Sequence, residues 1–280
     1  MRNRLNSAQK QHYYRELLSI GIPIIIGQLG TIVLGFADTL MIGHHSTEEL
    51  AAAGLVNNIF TLVLVSYMGF SYGLTPIIGR LYGMEKTNEI GGKVRNSLFA
   101  NIIVGLIFTL AMVILYFNLG NIGQPEELLS LIRPYFIINL VSILFVGVFN
   151  TARVFLDGIA NTEVAMWVMI FGNVVNIFGN WLLIYGVGPF PELGLAGAGI
   201  STTGSRILMA LIMVGVIVFK KEFKQYGRDI IKSSITKDDF KEMNRLGWPV
   251  ALQLAMESAA FTLSCVMVGW LGTIPLAAHQ

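Results

Sequence analysis

The chain has 280 residues, of which 54% are hydrophobic and only 13% are charged, and its formal net charge is +2. This composition excludes an ordinary soluble domain, because such a domain needs far less apolar sequence for its core. The single cysteine, Cys265, excludes a disulfide framework and a cysteine-based metal cluster. The sequence therefore predicts a protein embedded in a lipid bilayer.

Seven segments are long and apolar enough to cross a membrane, since a span needs about 20 mostly apolar residues. We expect helices, because backbone polar groups in lipid must bond within their own segment, and the alternating pattern of a barrel is missing. The predicted fold class is an all-α polytopic membrane protein. Spans one to seven are residues 17–43, 50–78, 95–117, 131–155, 163–187, 194–219 and 246–271.

The distribution of basic residues predicts the orientation of these spans. Residues 1–15 are polar and basic, and the apolar segment after them is too long for a signal peptide, so we expect span one to stay in the mature protein. With the N-terminus in the cytoplasm, all but two of the 19 Lys and Arg residues face inside; the exceptions are Arg133 and Arg206. We expect a multi-pass protein of the cytoplasmic (inner) membrane, with outer loops near 44–49, 118–130 and 187–193.

Span one carries a polar face. Its residues follow an i, i+3, i+7, i+10 pattern and share one side of the helix: Gln28, Thr31, Gly35 and Asp38. A charge inside a bilayer costs about 2.5–3.5 kcal/mol on insertion scales and indicates a function by default. Asp38 is either such a buried acid or a carboxylate at the outer membrane surface, because span one ends only five residues later.

Spans four to six carry further polar side chains. They either hydrogen-bond between helices, which is worth about 0.6–2 kcal/mol each, or line a polar interior. Together with the acid of span one they favour a polar interior. They are Asn139, Ser142, Asn150, Arg153 and Asp157 in or beside span four, Asn173, Asn176 and Asn180 in span five, and Ser201, Thr202, Thr203, Ser205 and Arg206 in span six.

The prolines of the spans and the two histidines of the first outer loop have ordinary structural interpretations. Pro23, Pro76 and Pro249 each remove a backbone hydrogen bond and favour a kink. The adjacent residues His44 and His45 lack a third ligand nearby, so we expect exposed polar side chains rather than a metal site.

Residues 220–245 are rich in Lys and Arg, but acidic residues interleave with them. This mixture favours a cytoplasmic linker over a nucleic-acid-binding segment. The run from Thr236 to Asp239 has the form of a capping box, so we expect a short amphipathic helix that leads into span seven.

An internal repeat relates the two ends of the chain. Residues 16–52 align with 242–278 without a gap, and nine positions are identical, among them Gly21/Gly247 and Pro23/Pro249. We expect two similar halves, of which the second is truncated: a lobe at 1–219, a linker at 220–245 and the first helix of a second lobe at 246–280. The alignment pairs Thr31 with Glu257 and Asp38 with Ser264, so each copy presents an acid and a hydroxyl on one face.

Motifs in chain order carry a family resemblance. They are Glu16–Pro23 and Gly35–Gly43 in span one, Leu81–Gly83 after span two, Asn176–Asn180 in span five, Gly197–Thr202 in span six and Pro249–Glu257 in span seven. Together they resemble the MATE (multidrug and toxic compound extrusion) transporters, and Glu257 is similar to the helix-seven acid of the bacterial NorM-type branch.

The resemblance implies twelve helices in two six-helix lobes, and export of organic cations from a cleft in exchange for Na+ or H+. It implies a monomer at full length, with membrane lipid and small organic cations as partners, no nucleic acid, and no cofactor or metal beyond the coupling ion. One position departs from the pattern, because some relatives carry Asp where this chain has Asn180. The implied coupling residues are Asp38, Tyr135, Asn150, Asn176, Asn180, Thr202 and Glu257, and the expected substrate-cavity residues are Gln28, Thr31 and Arg206.

Two other functions stay open at this stage. A flippase for lipid-linked oligosaccharides, of the same superfamily, needs cavity Arg or Lys residues for a pyrophosphate, and Arg206 is the only central candidate. A non-transporting receptor or scaffold is disfavoured by the repeat and the intramembrane acids. We do not expect an enzyme, because the spans contain no His, Cys or paired-Asp constellation.

Overall fold

The computed structural model describes residues 7–122 and 126–269, with side chains for 11, 13–121 and 128–260. In that part of the chain all regular structure is helical, as long apolar segments require in lipid. The elements are α1 (Ser7–His45), α2 (Thr47–Tyr72), α3 (Leu74–Gly83), α4 (Thr87–Phe117), a 3₁₀ turn (Leu119–Ile122), α5 (Glu126–Gly158), α6 (Glu163–Ile184), α7 (Gly194–Phe219), α8 (Lys224–Lys232) and α9 (Lys237–Gly269).

Six helical segments among the described residues are long and apolar enough to cross a membrane, and they coincide with predicted spans one to six. Predicted span seven falls on α9, which continues to Gly269. Its last two residues, 270 and 271, and the side chains of Ser264 and Cys265 lie outside the described part. The division into a lobe, a linker and a second lobe stays a prediction.

Span two is divided at Gly73, where the sequence predicts one helix with a kink. The cause is Pro76, which has no N–H to donate to the carbonyl of Tyr72, four residues earlier, and whose ring crowds that carbonyl. Accordingly α2 ends at Tyr72 and α3 begins at Leu74. Pro23 and Pro249 behave differently, since both lie inside continuous helices.

The helices form one bundle with apolar residues on both its inside and its outside. α5 lies at the centre, packed against α2, α4 and α7, while α6 packs between α7 and α1. Large side chains such as Phe70, Phe136 and Phe155 are fully buried. Others, such as Phe36 on α1 and Phe219 on α7, are exposed, as a surface in contact with lipid requires.

Backbone contact between glycines joins α9 to the first helices. A Cβ atom at Gly73 would lie 2.6 Å from the nitrogen of Gly247, and one at Gly69 would lie 3.0 Å from Ala251 Cα. Only residues without large side chains allow two helices to approach this closely. Gly21, the repeat counterpart of Gly247 on α1, has open space around it.

Residues 220–245 form ordered structure against the ends of α3 and α4. The predicted cap is present, because the backbone nitrogen of Asp239 donates to Thr236 Oγ1 over 3.3 Å. The helix that begins there is not a short separate one, since α9 continues unbroken into the apolar segment. Its first turns are held by Lys93 of α4, whose Nζ lies 2.7 Å from Asp239 Oδ1 and 2.5 Å from Glu242 Oε2.

At the opposite end of the bundle, His45 joins α1 to two other elements. Its Nδ1 lies 2.8 Å from Glu49 Oε2 on α2, and its Nε2 lies 3.0 Å from Glu192 Oε1 in the loop before α7. His44 is exposed. Within the described residues, no group of three His, Cys, Asp or Glu side chains is arranged to hold a metal ion.

Candidate functional site

The candidate site lies where α1, α6 and α7 meet, and Asp38 of α1 is its acidic group. Asp38 is half-buried, and its Oδ1 accepts a hydrogen bond of 2.6 Å from Asn180 Nδ2. Asn180 lies on α6 and is fully buried. A bond this short to a carboxylate is charge-assisted, which makes it stronger than a bond between neutral groups. The acid of span one therefore faces the bundle interior rather than lipid.

Asn176 and Thr202 extend this contact to α7. With the Asn176 amide turned so that its nitrogen lies 3.0 Å from Asp38 Oδ1, its oxygen accepts from Thr202 Oγ1 over 3.1 Å. In this orientation Asn176 and Asn180 both direct an amide nitrogen toward Asp38 and form no hydrogen bond with each other. The backbone nitrogen of Thr202 lies 3.2 Å from the same oxygen. Helical spacing explains the arrangement, because Asn176 and Asn180 are one turn apart on the same face of α6.

Tyr135 and Arg206 complete the cluster from α5 and α7. Tyr135 is buried, and its hydroxyl donates to Asn57 Oδ1 over 3.0 Å. A Cβ atom at Gly199 would lie 2.9 Å from the Tyr135 ring, so this glycine lets the ring lie against α7. Arg206 donates to Ser142 Oγ over 2.8 Å, and its positive charge attracts the Asp38 carboxylate.

The cluster contains oxygen atoms of the kinds that small hard cations bind. They belong to Asp38, Asn180, Asn176 and Thr202, which supply carboxylate, amide and hydroxyl groups, and the Asn176 oxygen already accepts from Thr202. Asn180 Oδ1 is buried and has no hydrogen-bond partner among the described residues. A buried acceptor without a partner costs about 1–3 kcal/mol, and a bound cation would satisfy it. An unpaired oxygen beside an acid makes these residues the candidates in this chain for holding a cation or a proton.

Some predicted site residues lie apart from this cluster. Asn150 follows Tyr135 by fifteen positions on α5, which is about 22 Å along a helix axis, and its amide donates to Met68 O of α2. Glu257 is exposed on α9, while Gln28 and Thr31 are exposed on α1. Thr31 donates to the carbonyl of Gly27 in its own helix. Their roles stay predictions, and no hydrogen bond in the described part joins them to Asp38.

Two contacts of the cluster were not predicted from the sequence. Asn57 of α2 accepts from Tyr135, and Ser205 of α7 lies 3.4 Å from the Asn176 amide. The signal for Asn57 was present, because an amide inside an otherwise apolar span needs a partner. Its partner could not be inferred, since that depends on how α2 and α5 are rotated relative to each other.

Six helices apolar enough to cross a membrane, together with a half-buried carboxylate and its amides, define the class: a polytopic membrane protein with a polar interior. The MatE family model matches residues 23–182, which is more than half of the chain. The chain therefore belongs to the MatE family, a family of transporters rather than enzymes, as the motifs indicated.

Two similar curated relatives are both named as multidrug resistance proteins. The chain is 27% identical over 266 residues to the probable multidrug resistance protein NorM of Synechococcus sp., covering 95% of this chain and 57% of that protein. It is 29% identical over 269 residues to the protein of that name from Photorhabdus laumondii subsp. laumondii, with coverage of 95% and 58%. The chain thus spans less than two thirds of the length of these relatives.

Solved structures share the fold. A MATE protein in complex with MaD5 superposes with a TM-score of 0.80 at 22% identity, over 94% of this chain and 59% of that one. A MOP superfamily transporter from Pyrococcus furiosus Vc1 superposes with a TM-score of 0.78 at 23% identity, over 90% and 56%. Its description states that a binding pocket of reversed polarity suggests a different function. The all-α transporter fold expected from the sequence is confirmed.

Proposed function

We propose that this chain provides the first lobe, and the beginning of the second, of a cation-coupled antiporter that exports organic cations across the cytoplasmic membrane. The observation that carries the proposal is the half-buried Asp38 carboxylate, held 2.6 Å from Asn180 Nδ2 beside the unpaired Asn180 Oδ1. The curated relatives are named as multidrug resistance proteins, which supports a drug as the exported compound.

Antiport follows from competition for the charge of Asp38. The carboxylate is neutralised by a proton or by Na+, and neutralisation changes the hydrogen bonds that Asn180 and Asn176 make from α6. A ligand shifts a conformational equilibrium only when it binds the two states with different affinity. α1 and α6 are the elements on which this difference acts, because Asp38 joins them directly.

Arg206 affects how tightly the Asp38 site binds the coupling ion. Its charge attracts the same carboxylate, so the pair is nearly neutral before a cation binds. A coupling ion must be bound firmly enough to be captured and weakly enough to be released. We expect Arg206 to lower the affinity of Asp38 for the coupling ion and so to favour release on each cycle.

The proposed orientation places the N-terminus and the basic segment 220–245 in the cytoplasm. The placement of Lys and Arg residues supports it, since all but two of the 19 then face inside. The His45 cluster with Glu49 and Glu192 then lies on the outer face of the membrane. We propose a monomer, with Na+ or H+ as the coupling ion and no other cofactor.

The experiment that tests the function is efflux of a fluorescent organic cation from everted membrane vesicles, using a chain that carries both repeats in full. Na+ and pH gradients are applied separately. Transport driven by one gradient supports an antiporter and identifies its ion. Transport under neither gradient, with movement of a pyrophosphate-linked lipid instead, would replace the proposal by the flippase, for which Arg206 would bind the pyrophosphate.

A further inference from the structure

The short helix α8 spans the ends of α4 and α7 and is held by two glycine contacts. A Cβ atom at Gly91 of α4 would clash with the side chain and backbone of Asp229, and one at Gly227 of α8 would lie 2.7 Å from the carbonyl of Ile217 on α7. Arg95 of α4 donates to the carbonyls of Ile230 and Ile231 and so caps the C-terminus of α8. The helix is therefore fixed on both sides.

Below α8, between α4, α5 and α7, lies an apolar groove that we call the α8 groove. Its volume is about 270 Å³, and apart from Thr151 its lining side chains are apolar. An apolar groove of this volume has room for a segment of a hydrocarbon chain. Residues that line it include Val94, Leu98, Val148, Val214, Ile217 and Ile231.

The α8 groove opens toward the lipid-facing surface of the bundle. Ile231 at its edge is 63% exposed and Val214 is 43% exposed. Other apolar residues of α7, such as Leu211 and Phe219, are exposed as well. Apolar side chains exposed in this way favour a hydrocarbon occupant over a polar one.

A basic stripe accompanies the groove along α8. Lys224, Arg228 and Lys232 are spaced i, i+4, i+8, so they share one side of the helix, and all three are exposed. None of the three forms an ion pair within the described part of the chain. An amphipathic helix with Lys and Arg beside its apolar face is typical of a membrane surface rich in anionic lipid.

We propose that the α8 groove binds an anionic phospholipid of the cytoplasmic leaflet, with part of one acyl chain in the groove and the phosphate on the basic stripe. The apolar lining selects the chain, and the positive charge of Lys224, Arg228 and Lys232 selects the headgroup. The proposal uses the orientation proposed above but not the transport activity. It assigns α8 the role of an interfacial anchor for the end of the first lobe.

Native mass spectrometry of the purified protein tests this site. The delipidated protein is titrated with dioleoyl phosphatidylglycerol and with dioleoyl phosphatidylcholine, which differ only in the headgroup. We expect phosphatidylglycerol to bind with a preference of about tenfold or more. A combined K224Q, R228Q and K232Q variant should bind the two lipids equally. The matched control, K237Q, K241Q and R245Q on exposed positions of α9, should keep the preference.

The acyl chain is tested separately. V214W places a large ring in the groove and should lower binding of both lipids without changing their ratio, whereas L211W, one turn away, should leave binding unchanged. Three results would overturn the proposal: equal binding of both lipids by the unaltered protein, a preference that survives in the K224Q, R228Q and K232Q variant, or displacement of bound lipid by glycerophosphoglycerol, which has no acyl chains. The last result would indicate a site for a free anion instead.

Discussion

Replacement of Asp38 by asparagine changes one charge and almost no volume. The substituted side chain still fits between α1 and α6, and its amide oxygen can still accept from Asn180 Nδ2 at the present 2.6 Å contact. What is lost is the negative charge, and with it the attraction for a proton or Na+. D38N therefore separates the role of the charge from the role of the hydrogen bond.

The magnitude follows from Coulomb's law. Two unit charges about 4 Å apart attract each other by about 4 kcal/mol at an effective dielectric constant of 20. Since about 1.4 kcal/mol corresponds to a factor of ten, the loss of the carboxylate weakens cation binding by about a thousandfold. An amide takes up no proton at physiological pH, so proton coupling through this position is lost entirely.

The assay is ion-driven efflux from everted vesicles as a function of ion concentration, with the variants in a chain that carries both repeats in full. We expect D38N to abolish stimulation by either gradient. R206Q should act in the opposite direction and lower the half-saturating ion concentration, because it removes a positive charge that attracts Asp38. The matched control is D157N, which neutralises an acid on α5 whose Oδ2 lies 3.7 Å from Arg153 Nε.

The reasoning fails if D38N exports the drug at the normal ion-driven rate. It also fails if D157N reduces coupling as much as D38N does, because the effect would then come from losing any intramembrane acid rather than from the Asp38 cluster. Equal ion affinity in R206Q and the unaltered protein would remove the role assigned to Arg206.

Two further predictions concern stability. G147A should destabilise the protein by about 2–4 kcal/mol in denaturant titrations in detergent, because its Cβ would overlap the Tyr67 hydroxyl and disturb the 2.8 Å hydrogen bond from that hydroxyl to Asn101 O. The control is G215A on α7, which has open space around it and should be neutral or stabilising. Equal effects of the two substitutions would contradict this prediction. K93Q should raise amide hydrogen exchange at 237–242 by roughly tenfold to a hundredfold, because Asp239 and Glu242 of α9 lose their contacts with the Lys93 ammonium group of α4. K86Q, which removes an exposed pair with Glu89, should not change the exchange there.

Much of the fold was readable from the sequence alone. Spans one to six were located because about 20 consecutive apolar residues decide whether a segment crosses a membrane, and those residues are neighbours in the chain. Helical spacing also placed Asn176 and Asn180 on one face of α6. The acid inside an apolar span singled out Asp38, the family resemblance added a coupling role for Thr202, and the structure brings these four residues together.

Other features depend on the tertiary structure. The sequence indicated a polar role for Asn150 and did not single out Asn57; only the packed bundle decides that Asn57 meets Tyr135 while Asn150 meets the backbone of α2. The continuity of α9 and the position of α8 were likewise not predicted. Helix formation in a membrane is local, whereas the partner of each buried polar group is set by how helices rotate and cross. That crossing is determined by close contacts such as Gly73 with Gly247, which lie far apart in the chain.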